Sequence, residues 1–175
     1  MSLFTVASRY SKSLLELSVE RGELEEVHRD MQKLLDMGKA NEELGLMLQD
    51  PVIRSEEKLR ILNMLFSEGS ADLTADFLEL IAQKGRENTL MAIARQFHKQ
   101  YNSHKGIQEA KVVTTFPIDE ELRQSFIDMV KEISGKEKVE LSEHVDEELI
   151  GGFVLTVGDR QIDESLESKL NSLRL

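Results

Sequence analysis

The side chains able to do chemistry in this 175-residue chain are clustered carboxylates, four histidines and the pair Asp163 and Ser165. Glu23, Glu25 and Glu26, and the run Asp119-Glu120-Glu121, have the crowding that acid/base catalysis uses, where one carboxyl group gives a proton and its neighbour takes one. Both clusters open helical patterns, however, where negative charge offsets the positive end of the helix dipole, and that is the role expected of them. Asp163 and Ser165 lie near glycines, as some nucleophiles do. A serine nucleophile needs a base, and no histidine is close in sequence, so Asp163 is expected to cap a helix with Ser165 in its first turn. His28, His98, His104 and His144 include no pair at i, i+4 and no acid at metalloprotease spacing; surface or capping roles are expected, and no metal site. Arg86 follows Gly85 and is read as closing a turn rather than binding an anion. No Gly-rich loop ends in Gly-Lys-Ser/Thr, and the pair Gly151-Gly152 precedes a strand where a nucleotide fingerprint would open a helix. Neither a cofactor nor a catalytic residue is expected.

The elements that would position these groups fall into two kinds. From Ser2 to about Ser103 the apolar period is helical, with breaks at Gly22, Gly38 to Asn41, Asp50-Pro51, Glu68 to Ser70 and Lys84 to Glu87. Six helices are predicted, at 5–21, 24–37, 42–48, 55–66, 73–84 and 90–102, and short connections make them antiparallel neighbours in an all-α six-helix bundle over residues 1–105. After Gly106 the period changes. Residues 108–115 alternate and are rich in Val and Thr, Asp119 can cap a helix carrying Leu122, Phe126, Met129, Val130 and Ile133, and residues 138–144 alternate again. Gly151-Gly152 then leads sharply into a strand from Phe153 to Val157. Gly158-Asp159 reads as a type II′ hairpin turn, with glycine at the first central position. Leu166, Leu170 and Leu173, spaced four and three apart, form one stripe of a closing helix expected to pack on the hairpin. Residues 106–175 are thus predicted to be a small α+β domain, too small for a deep substrate cleft.

Composition excludes further classes. There are no cysteines, hence no disulfide scaffold, thiolate zinc site or cysteine nucleophile. Apolar runs fall far short of the roughly 20 residues that span a bilayer, and the first residues lack the basic flank and apolar block of a secretory signal. No direct membrane insertion is expected. With 22 basic against 33 acidic residues the formal charge is −11, which repels nucleic acid and anionic lipid, and the lysines lie scattered rather than on one face. Membrane association would have to pass through another protein.

One pattern exceeds what folding needs. The first helix carries Phe4, Val6, Ala7, Tyr10, Leu14, Leu15, Leu17 and Val19 over more than half its circumference, and the fifth extends Leu73, Phe77, Leu80 and Ile81 with Ala75, Leu78 and Ala82. Two arrangements satisfy this equally: both helices are central in the bundle, or a groove between them accepts an amphipathic helix from a partner.

The run Ile150-Gly151-Gly152-Phe153-Val154-Leu155-Thr156-Val157-Gly158-Asp159, followed by Asp163-Glu164-Ser165, resembles the C-terminal signature of the delta subunit family of bacterial F-type ATP synthases, counterpart of the mitochondrial oligomycin-sensitivity-conferring protein. Ala7-Ser8-Arg9-Tyr10-Ser11-Lys12-Ser13-Leu14 is similar to the family's Ala-x-Arg-Tyr-Ala-x-Ala-Leu opening, with serines at two alanine positions. Leu48-Gln49-Asp50-Pro51-Val52-Ile53 with Lys58, and Phe77 to Ile81 leading to Gly85-Arg86, fall at the family's intervals. Gly151, Gly152, Gly158, Asp159, Asp163 and Ser165 carry the structural motif.

The resemblance implies a non-catalytic stator subunit at the cytoplasmic face of a bacterial plasma membrane. Its N-terminal domain would bind the N-terminal helical segment of an alpha subunit, and its C-terminal domain the peripheral-stalk b subunits. Carried onto this chain, the alpha-binding groove of the first and fifth helices is expected at Tyr10, Ser13, Leu14, Phe77 and Leu80, with Phe4, Leu15, Leu78 and Ala82 as the rival flank. The stalk contact is expected near Val154, Leu166, Leu170 and Leu173, although the spacing of the leucines fits a core better than an interface. A generic helical adaptor of another assembly, and a small hydrolase using Asp163, Ser165 or the acidic clusters, are the other classes to be tested.

Overall fold

A computed structural model describes residues 3–66, 69–166, 168 and 170. Leu173 of the expected closing stripe lies outside the described residues. The chain divides into two compact units between Tyr101 and Asn102, a few residues before the break expected at Gly106. The reason is local. Asn102, still within a helix, donates its Nδ2 to Glu109 Oε1 at 2.9 Å, which ties that last helical turn to the first strand.

The first unit is helical: α1 (Leu3–Arg21), α2 (Leu24–Ala40), α3 (Glu42–Gln49), α4 (Ser55–Leu65), α5 (Asp72–Gln83) and, after a 3-10 turn at Glu87–Thr89, α6 (Leu90–Lys105). Its core is Val27, Met31 and Leu34 of α2, Leu62 of α4, Leu78 and Ile81 of α5, and Leu90, Ile93, Ala94 and Phe97 of α6, all essentially inaccessible. Gly38 does not break α2 as expected. A Cβ there would collide with Met91 Cε of α6, so this glycine serves close helix packing and the helix runs on to Ala40, where Asn41 opens α3 by accepting from Glu43 N at 2.9 Å.

Buried charges hold helix ends across the unit. Ala71, at the N-cap of α5, has no side chain able to cap. Asp30 of α2, only 5% exposed, accepts hydrogen bonds from Ala71 N at 3.0 Å and Thr74 Oγ1 at 2.6 Å, and Glu23 Oε2 accepts from Leu73 N at 3.1 Å. Glu23 therefore serves α5 rather than the start of α2, the role expected of its cluster. At the opposite polarity, buried Lys58 Nζ donates to Leu48 O at 2.9 Å, at the C-terminal end of α3. Both signs match the helix dipole they meet.

The second unit is a four-stranded mixed sheet, β1 (Ile107–Thr114), β2 (Lys138–Val145), β3 (Phe153–Val157) and β4 (Arg160–Asp163), in the order β2-β1-β3-β4, with α7 (Glu120–Ser134) between β1 and β2. β1 and β2 are parallel, so α7 must run back along the sheet; β3 pairs antiparallel with β1 and β4. Asp119 caps α7 by accepting from Leu122 N at 2.8 Å. Alternate strand residues Ala110 and Val112, Leu141, and Leu155 and Val157 pack on Phe126 and Val130 of α7, and the Phe126 and Phe153 rings meet edge to face at 5.0 Å. One face of the sheet is thus covered by α7. The Val157–Arg160 pairing leaves a two-residue turn in which Gly158 has φ 59° and Asp159 a negative φ, the combination of a type II′ turn.

The Gly-Gly pair has a tertiary reason. Gly152 has φ 82°, and a Cβ on it would strike the carbonyl oxygen of Glu164 and stand 3.0 Å from Ser165 Cα. The returning chain crosses here, with Glu164 N donating to Phe153 O and Leu166 N to Gly151 O, both at 2.9 Å. Replacing Gly152 by alanine combines left-handed strain with a backbone clash, so the variant should lose about 2–4 kcal/mol. Urea unfolding of both proteins followed by circular dichroism would measure the loss, and a midpoint unchanged from wild type would contradict this account of the crossing.

Candidate functional site

α1 presents two stripes. Ala7, Ser11, Leu14 and Ser18 are buried, and the two serines satisfy their hydroxyls on their own helix, Ser11 Oγ to Ser8 O at 3.0 Å and Ser18 Oγ to Leu15 O at 2.8 Å. Phe4, Leu17 and Val19 remain exposed, so the wide apolar arc of this helix is not consumed by the core. Between α1 and α5 lies a groove of about 420 Å³ lined by Arg9, Tyr10, Ser13, Leu14, Leu17, Arg21, Leu73, Asp76, Phe77 and Leu80.

Tyr10 and Phe77 form the groove floor, with ring centroids 6.4 Å apart at an interplanar angle of 68°. Leu80 stands 41% exposed and Leu17 37%, while Phe77, Leu73 and Leu14 are nearly buried beneath them. Arg21 Nη1 reaches Asp76 Oδ2 at 3.3 Å and joins the two helices at one end. The Arg86 guanidinium lies over the Tyr10 ring, 5.7 Å from its centroid, while the Arg86 N–H closes the end of α5 on Ile81 O at 3.1 Å. The structure brings Tyr10, Ser13, Leu14, Phe77 and Leu80 together in this one groove. The rival flank is not assembled: Leu78 and Ala82 face the core, Leu15 is half-buried, and Phe4 does not line the groove.

The second set of expected contacts is placed differently. Val154 is half-buried, opposite Val113 and Asp163, and by alternation with Leu155 it faces away from α7. Leu166 and Leu170 are 47% and 55% exposed, which corrects the expectation that the leucine stripe packs into the core. Their helix is joined to the sheet at its first residue, where Leu166 also packs against Gly151.

The groups that could have done chemistry are committed elsewhere. Ser165 is buried, and its Oγ accepts from Ser168 N at 3.2 Å, which makes it the N-cap residue; Asp163, given that role from sequence, ends β4. Asp163 accepts from Ser165 N at 2.9 Å and Ser168 Oγ at 2.6 Å, and these bonds, those of Ser165 first, hold its carboxyl below the usual range. Nothing in this arrangement activates a hydroxyl.

Sequence spacing also missed a pairing of histidines 70 residues apart, because only the helix packing brings α2 to α6. His28 Nε2 lies 3.1 Å from His98 Nδ1, and the His28 ring stacks on Tyr101 at 3.6 Å. Tyr101 donates its hydroxyl to Glu25 Oε2 at 2.7 Å. Burial first, and then the Glu25 hydrogen bond and charge, raise the phenol to about 12.

The model of the ATP synthase delta (OSCP) subunit family matches residues 6–175. The chain belongs to that family. ATP synthase subunit delta of Cytophaga hutchinsonii is 38% identical over 169 residues, covering 97% of this chain and 92% of that protein, and the subunit of Amoebophilus asiaticus is 37% identical over the same shares. A chain of the Toxoplasma gondii mitochondrial ATP synthase hexamer, solved by cryo-EM, has the same fold, with a TM-score of 0.79 at 20% identity over 96% of this chain and 94% of that one. As an ATP synthase delta (OSCP) family member, the chain is a non-catalytic stator subunit of the F-type ATP synthase. The adaptor and hydrolase readings have no support beside it. Among the described residues no helix is long and apolar enough to cross a membrane.

Two measurements follow from the geometry. Asp30→Ala should cost about 3 kcal/mol, because it leaves Ala71 N–H and the Thr74 hydroxyl buried without their acceptor, and chemical denaturation would read it; a loss under about 0.5 kcal/mol would show that water replaces the carboxylate. Tyr101 should ionise near pH 12 by ultraviolet titration, and Glu25→Gln should bring it back toward 10. Since its folded value lies above its unfolded one, the stability linked to this phenol is full below about pH 10 and lost as pH rises through 12.

Proposed function

We propose that the groove between α1 and α5 takes the N-terminal helical segment of an ATP synthase alpha subunit, and that the second unit engages the peripheral-stalk b subunits. The six-helix bundle is then the head-binding domain, and the α+β unit with its Gly-Gly hairpin the stalk-binding domain. The chain would tie the catalytic head to the stator, at the cytoplasmic face of the bacterial plasma membrane, so that rotor torque drives synthesis instead of spinning the head.

The apolar groove is the observation that carries this reading. Exposed leucines flank an aromatic floor, ionic groups sit at the ends, and no side chain within it is poised for bond making or breaking. Such a trough suits the apolar face of a helix, whose anchors at i, i+3, i+4 and i+7 would lie along it while its backbone hydrogen bonds stay internal. Ser13 is small enough to let a partner backbone come close.

Calorimetric titration of the full chain with a synthetic peptide of the cognate alpha subunit's N-terminal segment should give saturable one-to-one binding. Leu80→Asp, at an exposed position that leaves the core intact, should weaken it at least about tenfold, or about 1.4 kcal/mol. Ser13→Phe should weaken it similarly by filling the groove without adding charge. Peptide binding undiminished in both variants would place the alpha segment elsewhere on the chain.

A further inference from the structure

One end of the sheet gathers apolar side chains that the fold does not use. Thr114, the last residue of β1, stands opposite Val145 of β2 and Phe153 of β3. Phe116 follows that point by two residues, and Ile150 precedes β3 by three. They are 59% and 67% exposed, and Val145 is 43% exposed. Leu166, held to Gly151 O, and Leu170 one turn later begin from the same end.

Ile150 is the informative member. Its φ is 63° and ψ −31°, and Gly151 N donates across it to Leu149 O at 2.7 Å, a γ-turn of the rare, strained hand. A β-branched residue avoids this region, because its side chain crowds the backbone. The turn sends Leu149 inward and leaves the Ile150 side chain in solvent, so that side chain gains no packing within the chain. A large apolar side chain kept exposed on a turn that glycine would adopt without strain points to a use outside the chain.

Among the described residues, the charge around this patch is mainly negative. α7 must start at the C-terminal end of β1, so Asp119, Glu120 and Glu121 lie at this end; Asp146, Glu147 and Glu148 lead up to Ile150, and Asp163 and Glu164 follow β4. Arg123 is paired with Glu143. Lys138 and Arg160 begin their strands at the opposite end of the sheet.

We propose that this sheet end, formed by Phe116, Val145, Ile150, Leu166 and Leu170, is the surface on which the second unit takes its stalk partner, and that the partner segment is an amphipathic helix flanked by lysine and arginine. The inference rests on the reading of the second unit as stalk-facing and adds the place and the chemistry. The end of a sheet offers side chains rather than a free ladder of backbone groups, so a helix, which satisfies its own backbone, fits it better than an added strand. Leu166 and Leu170, four residues apart on a helix, present the row against which such a helix packs. The acidic border attracts a basic flank and repels anionic lipid.

The test is calorimetry of the full chain with a synthetic peptide of the cognate b subunit's C-terminal segment, at about 50 and about 300 mM salt, between which the Debye length falls from about 14 to about 6 Å. Binding should weaken as salt rises, and Phe116→Ser and Ile150→Gly should each weaken it at least about tenfold. Ile150→Gly should also raise the melting temperature of the free chain by about 2–4 °C, because glycine accepts the turn without strain. Weaker binding by a more stable protein cannot come from unfolding. Equal affinity of both variants and wild type would overturn the surface while leaving the stalk reading in place. A wild-type chain that does not bind the peptide at all would overturn both. Sedimentation showing a wild-type dimer that Phe116→Ser dissociates would replace the stalk helix with a second copy of the chain.

Discussion

The capping of α5 by carboxylates of another segment is the constraint on which the first unit depends. At the start of α5, Thr74 N–H bonds to Ala71 O, but Ala71 and Leu73 are buried and their amide N–H groups have no acceptors in their own helix. Asp30 and Glu23 supply them from the α2 side. A charged acceptor at a helix N-terminus also meets the positive end of the dipole, so one interaction compensates two costs of burying that end. The consequence is geometric. With its start pinned to α2, α5 has little freedom to slide or rotate, and the face carrying Phe77 and Leu80 is presented beside Tyr10 and Ser13 of α1. Lys58 fixes the end of α3 by the same logic with the opposite sign. The ionic groups that a search for catalysis would single out are largely structural here.

The second unit is fixed by steric exclusion at one crossing. Where Glu164 passes Gly152 there is no room for a Cβ, and the main chain is bonded on both sides of the contact. This locks β4 and the start of the following helix to the beginning of β3, and it forces the preceding residues through the strained turn at Ile150. The glycines serve the contact with residues far along the chain as much as the local turn. That explains why they are followed, a dozen residues later, by Asp163 and Ser165, whose bonds start the next helix at the place the crossing requires.

Local features were legible in the sequence, and contacts between elements were not. The helical period, the alternation at β1 and β2, the Asp119 cap and the Gly158-Asp159 turn depend on residues within a few positions of one another, and periodicity reports them. Gly38 misled because a glycine that breaks a helix and one that lets two helices touch are identical in sequence; only the facing Met91 distinguishes them. Glu23, Asp30 and the His28–His98 pair act across 41 to 70 residues, beyond any local pattern. The groove was half legible. An apolar arc wider than a core needs marked α1 and α5 as unusual, yet the buried row on α1 is partly serine, and hydropathy gives no reason to turn Ser11 and Ser18 inward. Their bonds to Ser8 O and Leu15 O remove the cost of burying the hydroxyls and let α1 pack closely. The leucines of the closing helix illustrate the converse: spacing showed a stripe, and only the structure showed that Leu166 and Leu170 are left uncovered.

Both units therefore carry apolar surface beyond what folding consumes, and each presents it on an element anchored by polar or steric constraints, α5 by its caps and the sheet end by the Gly152 crossing. If both surfaces dock partners as proposed, this division matters for a connector, because binding at one surface turns the second binding event into an intramolecular one. The partner that lets go remains at a high effective concentration near its site while the other holds, so the link can outlast either contact alone by orders of magnitude. Neither surface has to be exceptionally tight, which is consistent with a shallow groove and a modest apolar patch in place of deep pockets. The same division suits a chain without chemistry of its own: Glu23, Asp30, Asp119 and Ser165 close helix ends, and on the reading proposed above the apolar surface left over holds other helices.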